Sequence, residues 1–201
     1  PIDDGSLKTK IQDYSKKRNY LIANKLNNNN NEGVLEFAYQ GPLLKYFGRK
    51  RNIVITGNVN FKILKKDKSQ HDGECYRTIE INNGDIIDII STNKSVYGYF
   101  SVNGGFKLEK VWDSFSTTIR AKVGPNNGQK LIDDQEIKLK ERNSSAHRKL
   151  DYIDTKIEFI RVIKGTNFNY FSEQSIKDFF SKRFEVTKLT DRMGMRIHGI
   201  K

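Results

Sequence analysis

The chain has 201 residues, and its 36% hydrophobic and 11% aromatic content is enough to bury a globular core, which excludes a disordered chain. Its 36 basic and 24 acidic residues give a formal net charge of +12, so a phosphate polyanion must be considered as a partner. The single cysteine excludes an internal disulfide, and no apolar run approaches the roughly 20 residues of a membrane span, so we expect a soluble protein of the reducing cytoplasm.

A helix over residues 7–26 is the first predicted element. The asparagine run 27–31 follows it and is predicted to end the helix as a loop. We interpret this run as a general bias toward Lys and Asn rather than as a binding device. Apolar side chains recur near helical spacing through the predicted helix, at Leu7, Ile11, Tyr14, Leu21, Ile22 and Leu26.

Short strands are predicted after the asparagine run, because the hydrophobic period changes to two. Glycine, asparagine and aspartate separate the strands, and the turns at residues 83–85 and 103–105 supply glycines that tolerate positive φ. This pattern predicts an antiparallel sandwich or barrel. The predicted strands are VLEFAYQ, NIVITG, VNFKIL, YRTIEI, DIIDII and VYGYFSV.

A polar tract over residues 138–151 has no apolar face and predicts a long loop or a subdomain boundary. Beyond it the pattern predicts a strand in KIEFIRVIKG, a short helix with Ser172 as its N-cap, and a strand in MRIHGIK. We therefore expect residues 1–137 to form a first barrel-like subdomain and residues 152–201 to begin a second. Because the chain starts at Pro1 and ends within a strand-like alternation, we expect both subdomains to be truncated.

No short motif in the sequence identifies a catalytic, metal or nucleotide site by itself. The stretch GPNNGQKL lacks the Gly-Lys-Ser/Thr ending of a phosphate-binding loop. His71, His147 and His198 have no paired spacing for a metal, so no metal site is predicted. Cys75 has no nearby histidine to activate it and is expected to be an inert thiol. The basic clusters lie far apart beside turn residues, which favours a solvated surface over specific nucleic-acid binding.

Three stretches, in order along the chain, resemble the family that includes allophanate hydrolase subunit 2, the C subunit of 5-oxoprolinase and the carboxyltransferase domain of urea carboxylase. The stretch GYFSVNGG, followed by DSFST, resembles the family strand that ends in Gly-Gly and the Gly-Ser-Arg-Ser-Thr segment after it. TDRMGMRIHG resembles the Ser-Asp-Arg-Met-Gly-Tyr-Arg-Leu-x-Gly signature. The first stretch, ANKLNNNNNEGVLEFAYQGPLLKY, resembles the Ala-Asn, Asn, Leu-Glu and Gly-Pro pattern through Ala23, Asn24, Asn30, Leu35, Glu36, Gly41 and Pro42.

The resemblance implies a mainly β fold, a cyclophilin-like β-barrel arrangement with a few short helices. It leaves the catalytic residues unassigned. Arginine side chains within the matched stretches are planar forks able to bind a carboxylate bidentately. The substrate-binding residues that the resemblance implies are Asn103, Ser114, Ser116, Thr117, Arg192 and Arg196.

Four positions depart from the family pattern. Asp113 and Phe115 stand where the family has the glycine and the arginine of Gly-Ser-Arg-Ser-Thr, and Gln129 and Gln135 stand at later Gly-Arg and Gly-Asp positions. These departures weaken the expectation that an anionic substrate is bound in the family's usual way.

The function implied by the resemblance is that of one component of an ATP-dependent amidohydrolase or carboxyltransferase complex of 5-oxoprolinase type, acting on cyclic or urea-derived amides. This chain would bind no cofactor itself: a partner would use ATP, and biotin would matter only in the urea carboxylase branch. The implied partners are a related carboxyltransferase-like subunit and a lactam-hydrolase-type subunit. Two alternatives stay open: a non-enzymatic regulatory protein resembling the family's kinase-inhibitor antagonists, and a nucleic-acid binder driven by the charge of +12.

Overall fold

A computed structural model describes residues 19–93, 95–144, 147–151, 162–191 and 194–199. The chain divides into two compact units, Pro1–Thr155 and Lys156–Lys201, each described here by itself. The described part of the polar tract 138–151 packs with the first unit, through bridges such as Phe106 to Leu139. The subdomain bounds expected from the sequence stay a prediction.

The first unit begins with helix α1 (Asn19–Leu26), the described part of the helix predicted over residues 7–26; residues 7–18 lie outside the described residues. Ile22, Ala23 and Leu26 of this helix are buried against Val54 and Tyr76. Val54 points away from its strand neighbours because successive side chains of a strand alternate between faces. The helix therefore covers the outer face of the sheet to which Val54 belongs.

Eight strands follow α1 and confirm the six predicted ones. Strands β2 (LLK) and β5 (QHD) were not predicted, because their three residues show no alternation of apolar and polar side chains, unlike IEI of β6. The strands are β1 (Leu35–Ala38), β2 (Leu43–Lys45), β3 (Arg51–Thr56), β4 (Val59–Leu64), β5 (Gln70–Asp72), β6 (Ile79–Ile81), β7 (Ile86–Thr92) and β8 (Tyr97–Val102).

These strands form two antiparallel sheets, with the orders β1-β8-β3-β6 and β2-β7-β4-β5. The alternate residues of both sheets meet in one core, with Ile53 and Ile55 from β3 packing in the same cluster as Ile63 from β4 and Ile87 from β7. The mainly β fold predicted from the sequence is thus confirmed. Among the described strands, no ladder of hydrogen bonds joins the two sheets into a closed barrel.

After β8 the first unit is largely irregular. Its described residues from 103 to 151 contain two one-turn 3-10 helices, Ile119–Ala121 and Asn126–Gly128. Several non-glycine residues here adopt positive φ, among them Trp112, Asp113 and Asn127. So long a segment without regular structure inside a compact unit is typical of functional loops.

The second unit contains a 3-10 turn (Phe168–Tyr170), helix α2 (Glu173–Ser181) and a hairpin of β9 (Phe184–Asp191) and β10 (Gly194–Gly199). The predicted N-cap is confirmed, because the Ser172 hydroxyl accepts a hydrogen bond from the backbone amide of Ser175 at 3.2 Å. The strand predicted at the end of the chain is confirmed as β10. Of the strand predicted over 156–165, residues 156–161 lie outside the described residues and residues 162–165 are not in a strand.

Candidate functional site

The asparagine run that follows α1 is a buried polar loop. In this run Asn27 and Asn29 are 2% and 9% exposed, whereas Asn28 and Asn30 are exposed. Asn24, within α1, is 1% exposed. A buried amide is costly unless its donors and acceptor find partners. The interpretation of this run as compositional bias is therefore wrong for its buried members, which hold specific partners.

The partners of these asparagines lie at the end of β8. The Asn29 side chain donates to the carbonyl of Val102 at 2.8 Å, and its Oδ1 accepts the backbone amide of Gly104 at 2.8 Å. The Asn103 side chain in turn donates to the carbonyl of Asn27 at 2.7 Å. These reciprocal bonds fix the loop after α1 to the turn after β8.

The two glycines of that turn are required by close approaches as well as by backbone conformation. Gly104 and Gly105 have φ values of 85° and 84°, in the left-handed region. A Cβ on Gly104 would overlap the carbonyl oxygen of Glu141 and lie 3.0 Å from the Cα of Arg142. A Cβ on Gly105 would lie 2.7 Å from the Glu32 side chain. The turn is therefore the point where three segments of the first unit cross.

Charged side chains form an ion pair and hydrogen bonds to backbone carbonyls around this crossing. Lys140 lies 2.6 Å from Glu32. Arg51, the first residue of β3, donates to the carbonyl of Asn103 at 2.8 Å and to the carbonyl of Lys140 at 3.0 Å. Arg142 donates to the carbonyl of Lys50 at 2.9 Å. Both guanidinium groups thus bind neutral carbonyl oxygens and keep their full positive charge.

A cleft of about 380 Å³ opens beside this crossing. Its lining is polar, combines three cationic side chains with neutral amide and hydroxyl groups, and includes no carboxylate among the described residues. Glu80 lies 2.7 Å from Lys50 on the solvent side and offsets part of one charge. The lining residues are Lys50, Arg51, Asn52, Asn103, Arg142, Asn143 and Ser144.

Among the described residues predicted to bind substrate, Asn103 lines this cleft. It is 2% exposed, so its side chain acts chiefly within the buried network. Ser114 accepts the backbone amide of Ser116 at 3.1 Å, and Thr117 donates to the carbonyl of Pro125 at 3.3 Å. These hydroxyl residues organise a separate loop. The structure does not bring them to the cleft, and their substrate-binding role stays a prediction.

The predicted arginines belong to the second unit. Arg196 is exposed on β10, and Arg192 lies outside the described residues. The exposed guanidinium of Arg196 is available for a ligand. Its substrate-binding role, like that of Arg192, stays a prediction.

Three of the four departures from the family pattern, at Phe115, Gln129 and Gln135, make local contacts in the first unit. The Phe115 ring lies where a Cβ on residue 33 would be 3.3 Å from it, and it lies 5.4 Å and 5.8 Å from the ammonium groups of Lys110 and Lys140, within cation–π distance. Gln135 donates to the side-chain oxygen of Asn126 at 2.7 Å, and the carbonyl of Gln129 accepts from the same asparagine at 3.2 Å. These three residues therefore stabilise the long loop of the first unit.

Sequence reasoning missed Lys50, Arg51 and Arg142 as functional candidates. The cluster Gly48–Arg51 was visible as a basic stretch, and its separation from other clusters favoured a solvated surface. In the structure Arg51 is only half-exposed, and Arg142 binds the backbone of a residue 92 positions earlier. A contact between positions so distant in the sequence leaves no local pattern to read.

Other candidates for chemistry are weaker. Burial raises the pKa of the Cys75 thiol, which donates to the carbonyl of Val59 at 3.4 Å, so the nucleophilic thiolate is disfavoured. A hydrogen bond from Lys110 at 2.6 Å lowers the pKa of the exposed Asp113.

Within the described ranges, no group of three or more His, Cys, Asp or Glu side chains could hold a metal ion. The described helices are also too short and too polar to cross a membrane.

Comparison with known proteins covers most of the chain. A family model described as "Carboxyltransferase domain, subdomain A and B" matches residues 16–201. The chain is 25% identical to the C subunit of 5-oxoprolinase from Haemophilus influenzae over 175 residues, 87% of this chain and 55% of that protein. It is 26% identical to urea amidolyase of Saccharomyces cerevisiae over 197 residues, 90% of this chain and 10% of that protein. The chain thus spans about half of the first relative and a tenth of the second.

Solved structures show the same fold. The crystal structure of TTHA0988 superposes with a TM-score of 0.75 at 22% identity and covers 90% of this chain and 35% of its own. The urea amidolyase of K. lactis superposes with a TM-score of 0.70 at 21% identity, with 90% of this chain and 12% of the other covered.

Proposed function

Because the chain belongs to the family of carboxyltransferase domains, subdomain A and B, we propose that it serves an ATP-dependent amidohydrolase or carboxyltransferase complex of 5-oxoprolinase type. The substrates proposed are cyclic or urea-derived amides. The match of the family across residues 16–201 is the observation that carries this proposal. The relatives named as the C subunit of 5-oxoprolinase and as urea amidolyase support it.

The buried network of the first unit adds structural support. Two of the stretches that resemble the family meet in it: Asn24 accepts a bond from Asn29 at 3.2 Å, and Asn29 binds Gly104. Side chains locked in this way hold a neighbouring site in fixed geometry, which lowers the cost of ordering it when a ligand binds. The family pattern here thus describes a rigid support rather than a set of exposed reactive groups.

We propose that this chain binds no cofactor and that ATP is used by a partner. The loop at residues 124–131 fits a triphosphate poorly, because its groups are already engaged within the loop. The backbone amide of Gly128 donates to the carbonyls of Gly124 and Pro125, and the Asn126 side chain donates to the carbonyl of Lys130 at 3.0 Å. A phosphate-binding loop instead presents free backbone amides to its ligand. Biotin belongs to the proposal only for the urea carboxylase branch.

The proposed partners are a related carboxyltransferase-like subunit and a lactam-hydrolase-type subunit in the cytoplasm. Within this assembly, the arginines of the second unit would hold the substrate carboxylate, since a guanidinium fork binds two carboxylate oxygens at once. Arg196 is exposed on β10, as such a contact requires. The group that cleaves the amide is not assigned to this chain.

Reconstitution of the complex tests the proposal. The full chain is mixed with the two partner subunits, and turnover of 5-oxoproline, allophanate and urea is measured with and without ATP. We expect ATP-dependent turnover of one of these compounds by the complete mixture alone. Absence of turnover for all three, in a mixture shown by gel filtration to have assembled, would reject the enzymatic proposal.

A non-enzymatic regulatory role within the same family is the second candidate. It is favoured by Phe115, which places an aromatic ring where the family has an arginine and packs it near two lysines. A protein of this class would capture a regulatory partner such as a kinase inhibitor. A pull-down that recovers only the subunits of the complex, together with full turnover, would exclude it.

A further inference from the structure

We propose that the cleft beside the Asn103–Gly105 turn binds a small oxyanion, a carboxylate or an inorganic phosphate, through Arg51, Arg142 and Lys50. The proposal concerns binding by the first unit and does not depend on the amidohydrolase function. It rests on the positive charge of the lining, on the hydrogen-bond donors that the lining side chains leave unused, and on the size of the cleft.

The two arginines of the cleft have no acidic partner among the described residues, whereas Lys50 pairs with Glu80. The three bonds of Arg51 go to the backbone carbonyls of Asn103 and Lys140, and the one bond of Arg142 goes to the carbonyl of Lys50. Neither guanidinium lies in an ion pair within the described part of the chain. Each retains N–H donors beyond those it uses, since a guanidinium carries five.

Neighbouring acids are already paired with other cations. Glu32 lies 2.6 Å from Lys140 and Glu80 lies 2.7 Å from Lys50. The cleft therefore holds an excess of positive charge beside low-dielectric protein, which is the field that attracts and concentrates an anion. An oxyanion would convert these uncompensated charges into charge-assisted hydrogen bonds.

The lining is held in place before any ligand binds. Arg51 is fixed by two carbonyls from different segments, and Asn52 and Asn103 beneath it are 3% and 2% exposed. Arg142 is brought to the rim because Gly104 has no Cβ to displace the backbone at residues 141 and 142. A site prearranged in this way loses little entropy on binding.

The neutral groups of the rim suit an oxyanion as well. Asn143 and Ser144 supply an amide and a hydroxyl beside Arg142. The two N–H groups of the Asn143 amide are engaged, with the carbonyl of Asn28 at 3.0 Å and with Asn29 Oδ1 at 3.4 Å. Ser144 Oγ accepts from the Asn28 amide at 3.0 Å, which leaves its hydroxyl proton to be donated. At this end of the cleft the Ser144 hydroxyl is thus the neutral donor for a ligand, and Asn143 fixes the rim to the loop after α1.

The dimensions favour a small ion over a polymer. A volume of about 380 Å³ accommodates phosphate or a small carboxylic acid, and it is a single cleft rather than a groove that follows a phosphate backbone. Nucleic acid would instead require cations along an extended face, with affinity that falls steeply as salt rises.

Isothermal titration calorimetry on the full chain, with inorganic phosphate and with 5-oxoproline as separate titrants, tests this inference. We expect one of the two to bind and Arg142→Gln to weaken its binding about tenfold or more, because one charge-assisted fork is lost. Lys50→Gln should weaken it less, because Lys50 is shared with Glu80. The matched control is Arg49→Gln, an exposed neighbour that removes the same charge outside the lining.

Stronger binding of phosphate would identify a phosphate site, and stronger binding of 5-oxoproline would identify a carboxylate site. The inference is overturned if neither titrant binds at millimolar concentration, or if Arg142→Gln and Arg49→Gln weaken binding equally. Thermal melting of each variant establishes that it is folded. Because neither ATP nor a partner is present, failure of this test is distinct from failure of the amidohydrolase proposal.

Discussion

The side-chain oxygen of Asn29 accepts the backbone amide of Gly104 at 2.8 Å, although the two residues are 75 positions apart. The same side chain donates to Val102, so one buried amide satisfies two backbone groups at the end of β8. This pair of bonds fastens the loop after α1 to the turn that borders the cleft.

Replacing Asn29 by alanine removes both bonds. The buried amide of Gly104 then loses the acceptor that Asn29 provides, whereas the carbonyl of Val102 keeps the hydrogen bond from the Gly105 amide at 2.9 Å. We expect Asn29→Ala to lower the free energy of unfolding by about 2 to 3 kcal/mol. Urea denaturation measures the change. The matched control is Asn30→Ala, at an exposed position in the same run, which should change stability by less than about 0.5 kcal/mol. Equal effects of the two substitutions would show that the buried network contributes nothing.

Gly104→Ala is predicted to destabilise the first unit through steric overlap in addition to backbone strain. The control Gly84→Ala has a similar positive φ, 90° against 85°, but the nearest atom to its Cβ lies 3.6 Å away, in ordinary contact. Both substitutions should cost about 1 kcal/mol or more from the left-handed backbone. We expect Gly104→Ala to cost about 1 to 3 kcal/mol beyond that. Chemical denaturation measures the free energy of unfolding of both variants. A loss of stability for Gly104→Ala no larger than that for Gly84→Ala would contradict the crossing geometry.

The partly buried thiol of Cys75 leads to a prediction about the pH dependence of stability. Burial raises the pKa of Cys75 in the folded state, whereas the thiol of the unfolded chain titrates near its ordinary value of about 8.5. The folded state therefore holds this proton longer, so the associated stability is present below the unfolded pKa and is lost as the pH rises through the folded pKa. We expect Cys75→Ala to show a shallower loss of stability than wild type as the pH rises above the ordinary thiol pKa of about 8.5.

Urea unfolding at several pH values gives the slope of the unfolding free energy against pH for both proteins. A cavity created by the substitution lowers stability equally at every pH and does not change this slope. Parallel curves would indicate that the thiol does not contribute to the alkaline loss. Alkylation of Cys75 by iodoacetamide should likewise be slow in the native protein and fast once urea unfolds it.

Arg196→Lys is predicted to weaken substrate binding by the assembled complex while leaving its melting temperature unchanged. The substitution keeps the charge and removes the planar fork, which at a bidentate contact costs on the order of 1 to 3 kcal/mol. At a solvated position it costs almost nothing. Arg183→Lys, also exposed in the second unit, is the matched control. Unchanged affinity for Arg196→Lys, or a loss that accompanies unfolding, would return Arg196 to a structural role.

The strands could be predicted from the sequence because their signal is local. In β4 the alternation of buried Val59, Phe61 and Ile63 with exposed or half-exposed neighbours follows directly from the pleat. The Ser172 cap was readable for the same reason, since its partner lies three residues away.

The buried asparagines and the cleft could not be predicted, because their partners are distant in the sequence. Nothing near Asn29 indicates that Val102 and Gly104 complete its hydrogen bonds. Arg51 and Arg142 likewise reach one cleft only because an extended tract folds back across the glycine turn. A basic cluster gives no sign, in sequence alone, of whether its cations face solvent or line a cleft.

The central claim, that this chain serves an ATP-dependent amidohydrolase complex, is tested most directly by omission and addition of the chain in one reaction. The partner subunits are supplied with 5-oxoproline and ATP, and release of the ring-opened amino acid is followed with and without the full chain. We expect product to form only when the chain, both partners and ATP are present together. Product formed at the same rate without the chain, or no product from an assembled complex offered 5-oxoproline, allophanate or urea, would contradict it.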